Sequence, residues 1–189
     1  SVQEMVDFTV LAFDLADKYR NPSLILSDGS IGQMMEKVVL PEQRPYKKAD
    51  ECRAEKPWAT MGKIKGENRN YVTSLYIQSE EMEQKNFELQ AKYKMIEDNE
   101  VRFESYNLED AEVVITAYGL SSRIAKKVVD IAREQGIKMG LLRPITLWPF
   151  PKKQFEELAK KESVKFFISL EMSVGQMVED IRLCVNGRK

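Results

Sequence analysis

The sequence predicts an α/β fold with a mostly parallel sheet and flanking helices. From residue 110 onward, apolar runs of strand length alternate with amphipathic helical patterns, as in consecutive β–α–β units. The 189 residues are 43% hydrophobic, which is enough apolar material to build a core for one domain, or for one domain and part of another. A proline-rich stretch at 140–151 supplies the third observation, because it cannot be helical.

The stretch 140–151 begins as an apolar run and ends among three prolines. Each proline fixes φ, removes a backbone donor and disfavours helix at the residue before it. We therefore expect a buried strand at 137–142, followed by a rigid loop that carries Arg143 and Trp148 at the carboxyl end of the strand, where sites form in α/β sheets. The alternative is that Trp148 and Phe150 only cap a core.

The N-terminal pattern predicts a helix over residues 1–20, since apolar side chains recur at three- and four-residue spacing and Ser1 and Glu4 form a capping box. Asn21-Pro22 ends this helix, and 23–27 then form a short apolar strand. One helix and one strand cannot bury both of their faces. The expectation is that the front of this domain lies upstream and that the chain is the C-terminal piece of a longer protein.

No sustained period runs through residues 42–77, where prolines and glycines stand among many charges. We interpret this region as a linker that packs against another surface, because Trp58, Tyr71 and Tyr76 would otherwise be exposed. Residues 80–98 carry many charges and a thin apolar stripe, which predicts a helix lying on a surface or bridging domains.

The C-terminal part predicts three parallel strands with helices between them. The strands are 112–117, 137–142 and 164–170, and the first two form one right-handed β–α–β unit around a helix that ends at Gly136. A short helix at 152–161 precedes the third strand, and a final helix follows it. In the helix before Gly136, the apolar side chains expected to face the sheet are those of Ile124, Val128, Val129, Ile131 and Ala132.

Composition excludes several kinds of chemistry. The chain has no histidine, so it cannot build a Ser-His-Asp or Cys-His centre or the usual histidine metal sites. Its two cysteines, Cys52 and Cys184, are too few for an iron–sulfur cluster or a four-cysteine zinc site, and they suggest a reduced, cytoplasmic compartment. A net charge of −1 and the lack of a long apolar run favour neither nucleic acid nor membrane as a partner.

The turn from the 112–117 strand into the next helix is a candidate anion site. Gly119, Ser121 and Ser122 lie at the start of that helix, where backbone N–H groups and the helix dipole attract anions. Neither the G-x-G-x-x-G nor the G-x-x-x-x-G-K-[ST] motif is present, so nucleotide binding is weakly supported. Simple capping of the helix by Ser121 or Ser122 is the favoured interpretation.

Glu171 ends the third predicted strand, just before Gly175 and Gln176. If the second and third strands are parallel neighbours, Glu171 and Arg143 emerge at the same edge of the sheet, and Glu171 either forms an ion pair with Arg143 or is used at an interface. Such pairs are more often structural than catalytic. We therefore interpret Arg143, Trp148, Glu171, Gly175 and Gln176 as interface or site-shaping residues and name no catalytic residue.

Three blocks of sequence resemble the 2-oxoacid:ferredoxin oxidoreductases, most closely the α subunit of the 2-oxoisovalerate (ketoisovalerate) type. They are Asp110–Gly119, Gly140–Pro151 and Glu171–Met177. The opening, through Tyr19-Arg20-Asn21-Pro22 and Ser27-Asp28, resembles the end of the thiamine-pyrimidine domain of that subunit. The resemblance covers nearly the whole chain.

The resemblance implies oxidative decarboxylation of a 2-oxoacid on thiamine diphosphate and magnesium, transfer of the acyl group to coenzyme A, and reduction of ferredoxin through iron–sulfur clusters on partner subunits. The implied partners are a pyrophosphate-domain subunit, a γ subunit and a ferredoxin-like subunit. It also implies three parts: the remnant of the pyrimidine-binding domain at 1–41, a linker at 42–77, and a transketolase C-terminal-like domain at 78–189.

Family members carry the glutamate that activates the aminopyrimidine early in the pyrimidine domain, a region that this sequence does not contain. They also continue beyond Lys189 into another strand. The resemblance therefore implies a chain that is inactive alone, binds no cofactor by itself and serves in assembly of subunits and domains. The sequence leaves open a non-catalytic α/β interaction module and a small flavodoxin-like nucleotide-binding domain, the latter weakened by the missing phosphate loop.

Overall fold

A computed structural model describes residues 1–63, 65–66 and 68–188. The chain divides into two compact units, one formed by residues 1–39 together with 91–189 and the other by residues 40–90. Across the described residues, none of the helices combines the length and the apolar character that crossing a membrane would take.

The first unit is built on a four-stranded sheet in the order β1-β3-β2-β4. Strands β2 (Val113–Ala117), β3 (Met139–Pro144) and β4 (Phe166–Leu170) are parallel, and β1 (Phe103–Tyr106) runs antiparallel to β3 at the edge. The parallel β–α–β unit predicted from the sequence is confirmed, and so is the mostly parallel α/β fold.

Helices cover both faces of this sheet. On one face, α6 (Lys152–Lys160) and α7 (Gln176–Val185) close over a core. On the other face, α5 (Gly119–Glu134) packs on a smaller core. The first core contains Val114, Leu142, Phe150, Phe155, Val164 and Ile181, and the second contains Ile115, Ala117, Ala125, Val129 and Leu141.

Strand β1 was not predicted. It has four residues, and its side chains alternate between exposed and half-buried positions, so it carries no apolar run that a sequence pattern could detect. The strand expected at 137–142 begins two residues later and includes Arg143 and Pro144. Pro144 fits there because its position lies at the end of the ladder, where a missing N–H is tolerated.

The predicted N-terminal helix is confirmed as α1 (Val2–Tyr19), with the capping box of Ser1 and Glu4 in place. The strand predicted at 23–27 is wrong, because these residues form neither helix nor strand. A strand needs a neighbour, and none of the described residues pairs with this segment. After it comes α2 (Gly29–Gln33), whose N-cap is Asp28.

The apolar side chains of α5 do not all face the sheet. Val129 and Ala132 are buried as predicted, but Ile124, Val128 and Ile131 are 55%, 39% and 43% exposed, so the prediction for these three is wrong. The buried side chains of α5 are mostly small, with Val129 the largest; they are Ser121, Ser122, Ala125, Val129 and Ala132. Helix α5 turns Ile124, Val128 and Ile131 outward.

The second unit contains α3 (Ala49–Glu55) and the first half of α4 (Ser79–Asn99). The long charged helix predicted at 80–98 is confirmed by α4, in which Ile96 is the buried residue. Helix α3 lies inside the region predicted as a linker. Among the aromatic side chains of the predicted linker, Tyr46 and Tyr71 are exposed, whereas Trp58 and Tyr76 are half-buried.

Candidate functional site

A cleft of about 760 Å³ opens in the first unit at the carboxyl ends of the parallel strands. It is lined mainly by apolar side chains from helix α1, from segment 21–28 and from the proline loop, which is the stretch 145–151 after β3. The start of α5 and the loop after β4 complete its wall. This is the location that the sequence analysis assigned to Arg143 and Trp148, and both line the cleft.

Arg143 joins α1 to the edge of the sheet. Its guanidinium donates to Glu4 of α1 at 2.8 Å and to Glu104, its cross-strand neighbour on β1, at 3.1 Å. Lys126 of α5 also pairs with Glu104. The Arg143 side chain is 15% exposed, and its buried Nε atom has no partner among the described residues.

These ion pairs keep the two acids ionised. Burial by itself raises the pKa of Glu4, but hydrogen bonds from the amino terminus and from Arg143 outweigh it and hold the pKa below its ordinary value. The same balance applies to Glu104, where hydrogen bonds from Lys126 and Arg143 outweigh burial and lower the pKa. Neither carboxylate is a proton donor near neutral pH.

A second charged cluster lies at the other end of α1, around Glu100. This carboxylate is 5% exposed and accepts from Lys18 Nζ at 2.8 Å, from Tyr19 Oη at 2.5 Å and from Arg102 Nη2 at 3.0 Å. Burial raises the pKa of Glu100, but these three hydrogen bonds outweigh burial and lower it to about 2. Both ends of α1 are thus fastened to the sheet region by buried or half-buried ion pairs.

Glu171 does not meet Arg143. Strand β2 lies between β3 and β4, so the two side chains are not on neighbouring strands and the predicted ion pair is wrong. Instead, the Glu171 carboxylate caps α7, accepting from the backbone N–H groups of Met177 at 3.0 Å and Val178 at 3.1 Å. Ser169 and Ser173 donate to it as well.

The loop between Glu171 and α7 is therefore held in one conformation. Burial raises the pKa of Glu171, but its hydrogen bonds outweigh burial and lower it. Gly175 is the N-cap of α7 and has φ of 101°, a left-handed conformation that glycine adopts without strain. Gln176, the first residue of α7, is exposed, as are Met172 and Val174 in the loop.

The candidate anion site at the start of α5 is occupied by a side chain of the protein itself. Asp28 Oδ2 accepts from Leu120 N at 3.1 Å, while Oδ1 accepts from Ile31 N and caps α2. Capping by Ser121 or Ser122 is wrong, since the N-cap is Tyr118 without a side-chain bond and the Ser122 hydroxyl donates to Gly119 O. One carboxylate therefore serves two helix N-termini.

The proline loop is packed differently at its two aromatic residues. Phe150 is 7% exposed and stacks on Phe155 with ring centroids 5.2 Å apart, which confirms a core role for this side chain. Trp148 is 53% exposed and contacts Tyr93 edge-to-face at 5.8 Å. The Trp148–Pro149 peptide bond is cis. Thr146 fastens the loop by donating to Pro149 O at 2.8 Å.

The cleft does not fit thiamine diphosphate. A diphosphate needs free cationic or N–H donors, whereas Arg143 and Arg102 are paired with carboxylates and the α5 N-terminus already holds Asp28. In the part of the chain that the structure describes, acidic and cysteine side chains form no group of three that could hold a metal ion. These residues thus fasten helices and strands to one another, and no catalytic step is assigned to them.

Sequence reasoning missed four acids that organise this region: Asp28, Glu4, Glu100 and Glu104. Glu4 was seen only as part of a capping box, and Asp28 only within a block that resembles the family. Each has at least one partner that lies 39 or more residues away along the sequence. No local pattern signals such a pairing.

Two family models divide the chain between them. The model for "Pyruvate flavodoxin/ferredoxin oxidoreductase, thiamine diP-bdg" matches residues 1–111, more than half of the chain. The model for "Pyruvate:ferredoxin oxidoreductase core domain II" matches residues 111–189. The chain belongs to the pyruvate flavodoxin/ferredoxin oxidoreductase family. The resemblance to 2-oxoacid:ferredoxin oxidoreductases drawn from the three sequence blocks is thereby confirmed.

Relatives in this family carry names of oxidoreductase subunits. The chain is 54% identical over 183 residues to ketoisovalerate oxidoreductase subunit VorB of Methanothermobacter marburgensis, and 51% identical to that of Methanothermobacter thermautotrophicus. Both alignments cover 97% of this chain and 50% of the relative. The 2-oxoglutarate synthase subunit KorA of Methanocaldococcus jannaschii is 34% identical. The chain spans about half the length of these relatives.

A solved structure shares the fold. It is the 2-oxoglutarate:ferredoxin oxidoreductase from Magnetococcus marinus with 2-oxoglutarate, coenzyme A and succinyl-CoA bound, at a TM-score of 0.51 and 21% identity. The match covers 57% of this chain and 19% of that chain. At this identity the likeness shows the fold alone, and it agrees with the α/β architecture.

Proposed function

We propose that this chain is the C-terminal part of the α subunit of a thiamine-diphosphate-dependent 2-oxoacid:ferredoxin oxidoreductase that acts on branched-chain 2-oxoisovalerate. The complete enzyme decarboxylates the oxoacid oxidatively, transfers the acyl group to coenzyme A and reduces ferredoxin. The observation that carries the proposal is the 54% and 51% identity to two ketoisovalerate oxidoreductase subunits, against 34% to a 2-oxoglutarate synthase subunit.

We place the cofactors outside this chain. The cations around the cleft are already neutralised by Glu4, Glu100 and Glu104, so thiamine diphosphate and magnesium need residues from elsewhere in the α subunit and from a pyrophosphate-domain subunit. The iron–sulfur clusters belong to partner subunits, among them a ferredoxin-like subunit, and a γ subunit completes the assembly. From the two free cysteines we propose a cytoplasmic location.

Within that enzyme, this chain serves in assembly and not in the chemical steps. Arg143 links α1 to the sheet, and Glu171 with Gly175 fixes the loop that ends at Gln176. Trp148 and Gln176, both exposed, are proposed contacts to a neighbouring domain or subunit. The division into 1–41, 42–77 and 78–189 stays a prediction.

The test is reconstitution of the complex with the rest of the α subunit and its partner subunits. We expect coenzyme A-dependent release of CO₂ from 2-oxoisovalerate together with reduction of ferredoxin, at a higher kcat/KM than with 2-oxoglutarate. A complex that releases CO₂ from no 2-oxoacid would contradict the proposal. A preference for 2-oxoglutarate would keep the reaction and overturn the substrate.

A further inference from the structure

Residues 70–77 of the second unit form an exposed apolar segment. The side chains of Tyr71, Val72, Leu75 and Ile77 are between 70% and 84% exposed. Most of the segment consists of β-branched and aromatic residues, which favour strands, yet it belongs to neither helix nor strand. Contiguous apolar side chains of this kind mark an interaction surface.

The backbone of this segment is available for pairing along one edge. Among the described residues, its N–H and C=O groups make no hydrogen bonds to other backbone groups and belong to no ladder. Leu75 N donates to the Thr73 hydroxyl. Because successive N–H groups of a strand point to opposite edges, the edge that stays free is that of Val72, Ser74 and Tyr76.

Opposite charges flank the apolar segment. Residues 63–69 carry three cations and one acid, whereas 79–83 carry three acids. The basic flank is Lys63, Lys65 and Arg69, and the acidic flank is Glu80, Glu81 and Glu83, all of them exposed. The ion pairs that the described part of this unit shows are local, such as Lys85 with Glu88, and none of them joins the two flanks.

This order of basic, apolar and acidic residues is self-complementary. Two antiparallel copies would place the basic flank of each against the acidic flank of the other, whereas parallel copies would place like charges together. The charges of one chain therefore specify both the partner and its direction, since the same stretch supplies both halves of the contact.

We propose that residues 70–77 form an antiparallel two-stranded ribbon with the same segment of a second copy of this chain. A two-fold axis at Ser74 places Tyr71 opposite Ile77 of the second copy and Val72 opposite its Tyr76. The ribbon covers the apolar side chains, and the charged flanks close both of its ends. The inference does not depend on the proposed function.

The test measures the oligomeric state of the full chain by sedimentation velocity at low salt. Concentrations up to about 200 μM are used, because a small interface gives a weak dimer. One variant makes both flanks acidic, by Lys65→Glu and Arg69→Glu, and the other makes both flanks basic, by Glu80→Lys and Glu83→Lys. These four side chains are exposed, so both variants should fold, which circular dichroism checks.

We expect the wild-type chain to dimerise and each variant alone to dimerise at least about tenfold more weakly, since like charges then meet across the axis. An equimolar mixture of the two variants should dimerise again, because every flank then meets its opposite. In both dimers the amides of Val72, Ser74 and Tyr76 should gain protection from hydrogen exchange.

A control variant separates the flanks from net charge. Lys160→Glu with Lys161→Glu changes two exposed lysines around the end of α6 and shifts the net charge as much as the acidic variant does. This control should dimerise as the wild type does. A control that dimerises as weakly as the acidic variant would overturn the inference, because net charge alone would then explain the loss.

A monomeric wild-type chain, or a mixture of the two variants that stays monomeric, would also overturn the inference. A dimer without protection of the three amides would do the same, because its contact would lie elsewhere. If the wild-type chain stays monomeric and these amides gain protection only when the partner subunits of the oxidoreductase are added, the segment belongs to those subunits and the second copy is excluded.

Discussion

Gly140 is the glycine at which the structure leaves least space for a side chain. It lies in β3 opposite the end of β1, and a Cβ atom built on it would approach Asn107 O to 2.4 Å and Leu108 Cδ2 to 2.8 Å. Asn107 O also accepts from Arg133 at 2.7 Å, so this carbonyl is held in place. The side chain is excluded by packing and not by backbone conformation, since Gly140 is not among the glycines with positive φ.

A Gly140→Ala substitution should therefore destabilise the fold by about 2–3 kcal/mol, as overpacking does where the neighbour is backbone. The measurement is the free energy of unfolding in urea. Gly32→Ala is the matched control, because nothing lies within 4 Å of its Cβ position, and its effect should stay within about 0.5 kcal/mol. Equal effects of the two substitutions would show that the approach to Asn107 is not tight.

Glu100 gives the fold a dependence on pH. Its pKa is about 2 in the folded protein against 4.5 for the free side chain. A depressed pKa means that the ionised form contributes stability, which is fully present above pH 4.5 and is lost as pH falls towards 2.

The Glu100→Gln variant should lose about 2 kcal/mol of unfolding free energy at pH 6, since charged hydrogen bonds become neutral ones without a change of shape. At pH 3 the difference from the wild type should shrink, because the wild-type carboxylate is then losing the same contribution. Denaturant melts at the two pH values measure this. A difference that stays constant from pH 6 to pH 3 would rule out the low pKa.

At the scale of the element, α7 depends on a carboxylate five residues before its first residue. Its N-cap is a glycine without a side chain, so the first N–H groups find their acceptor in Glu171 at the end of β4. The carboxylate also lies at the positive end of the helix dipole. The same contact sets the conformation of the loop that presents Met172 and Val174.

Glu171→Ala should cost about 1–2 kcal/mol, the usual loss for removing a helix cap. It should also raise amide exchange at Met177 and Val178 before other amides of α7 respond. Glu179→Ala is the matched control, an acid in the first turn of the same helix, and its cost should be within about 0.5 kcal/mol. A large loss in the control, or unchanged exchange in Glu171→Ala, would assign the stability to another contact.

At the scale of the whole molecule, two charged clusters hold α1 to the sheet region of the first unit. One is centred on Arg143 with Glu4 and Glu104, and the other on Glu100 with Lys18 and Tyr19. The space between them is the apolar cleft. Any partner that uses the cleft thus meets a helix whose position is fixed at both ends.

Arg143→Met in the reconstituted complex should reduce the amount of assembled enzyme several-fold, while turnover per assembled enzyme changes little. The substitution keeps the apolar stem but leaves Glu4 and Glu104 with fewer partners. Size-exclusion chromatography combined with CO₂ release measures both quantities. Lys94→Met, which removes an exposed pair with Asp98 on α4, is the control and should change neither. Normal assembly with lost turnover would place Arg143 in the catalytic machinery.

The pattern of residues 112–170 predicted the parallel strands because each is a contiguous apolar run, a signal that needs little context. The sequence pattern failed to predict contacts between residues that are distant along the chain. Glu171 and Arg143 looked like partners because both end strands, but the order β3-β2-β4 separates them. The periodicity of α5 placed Ile124, Val128 and Ile131 against the sheet, whereas the buried side chains of this helix are mostly small, with Val129 the largest.

The sequence by itself determined the α/β class, the capped helix α1, the long charged helix α4 and the family. Each of these depends on local propensity, on periodicity or on contiguous motifs, which short stretches of chain express without their partners. Tertiary structure alone decided the antiparallel β1, the absence of a strand at 23–27 and the partners of Arg143, Glu100, Asp28 and Glu171. Strand pairing and buried ion pairs depend on which distant groups meet, and chain topology sets that.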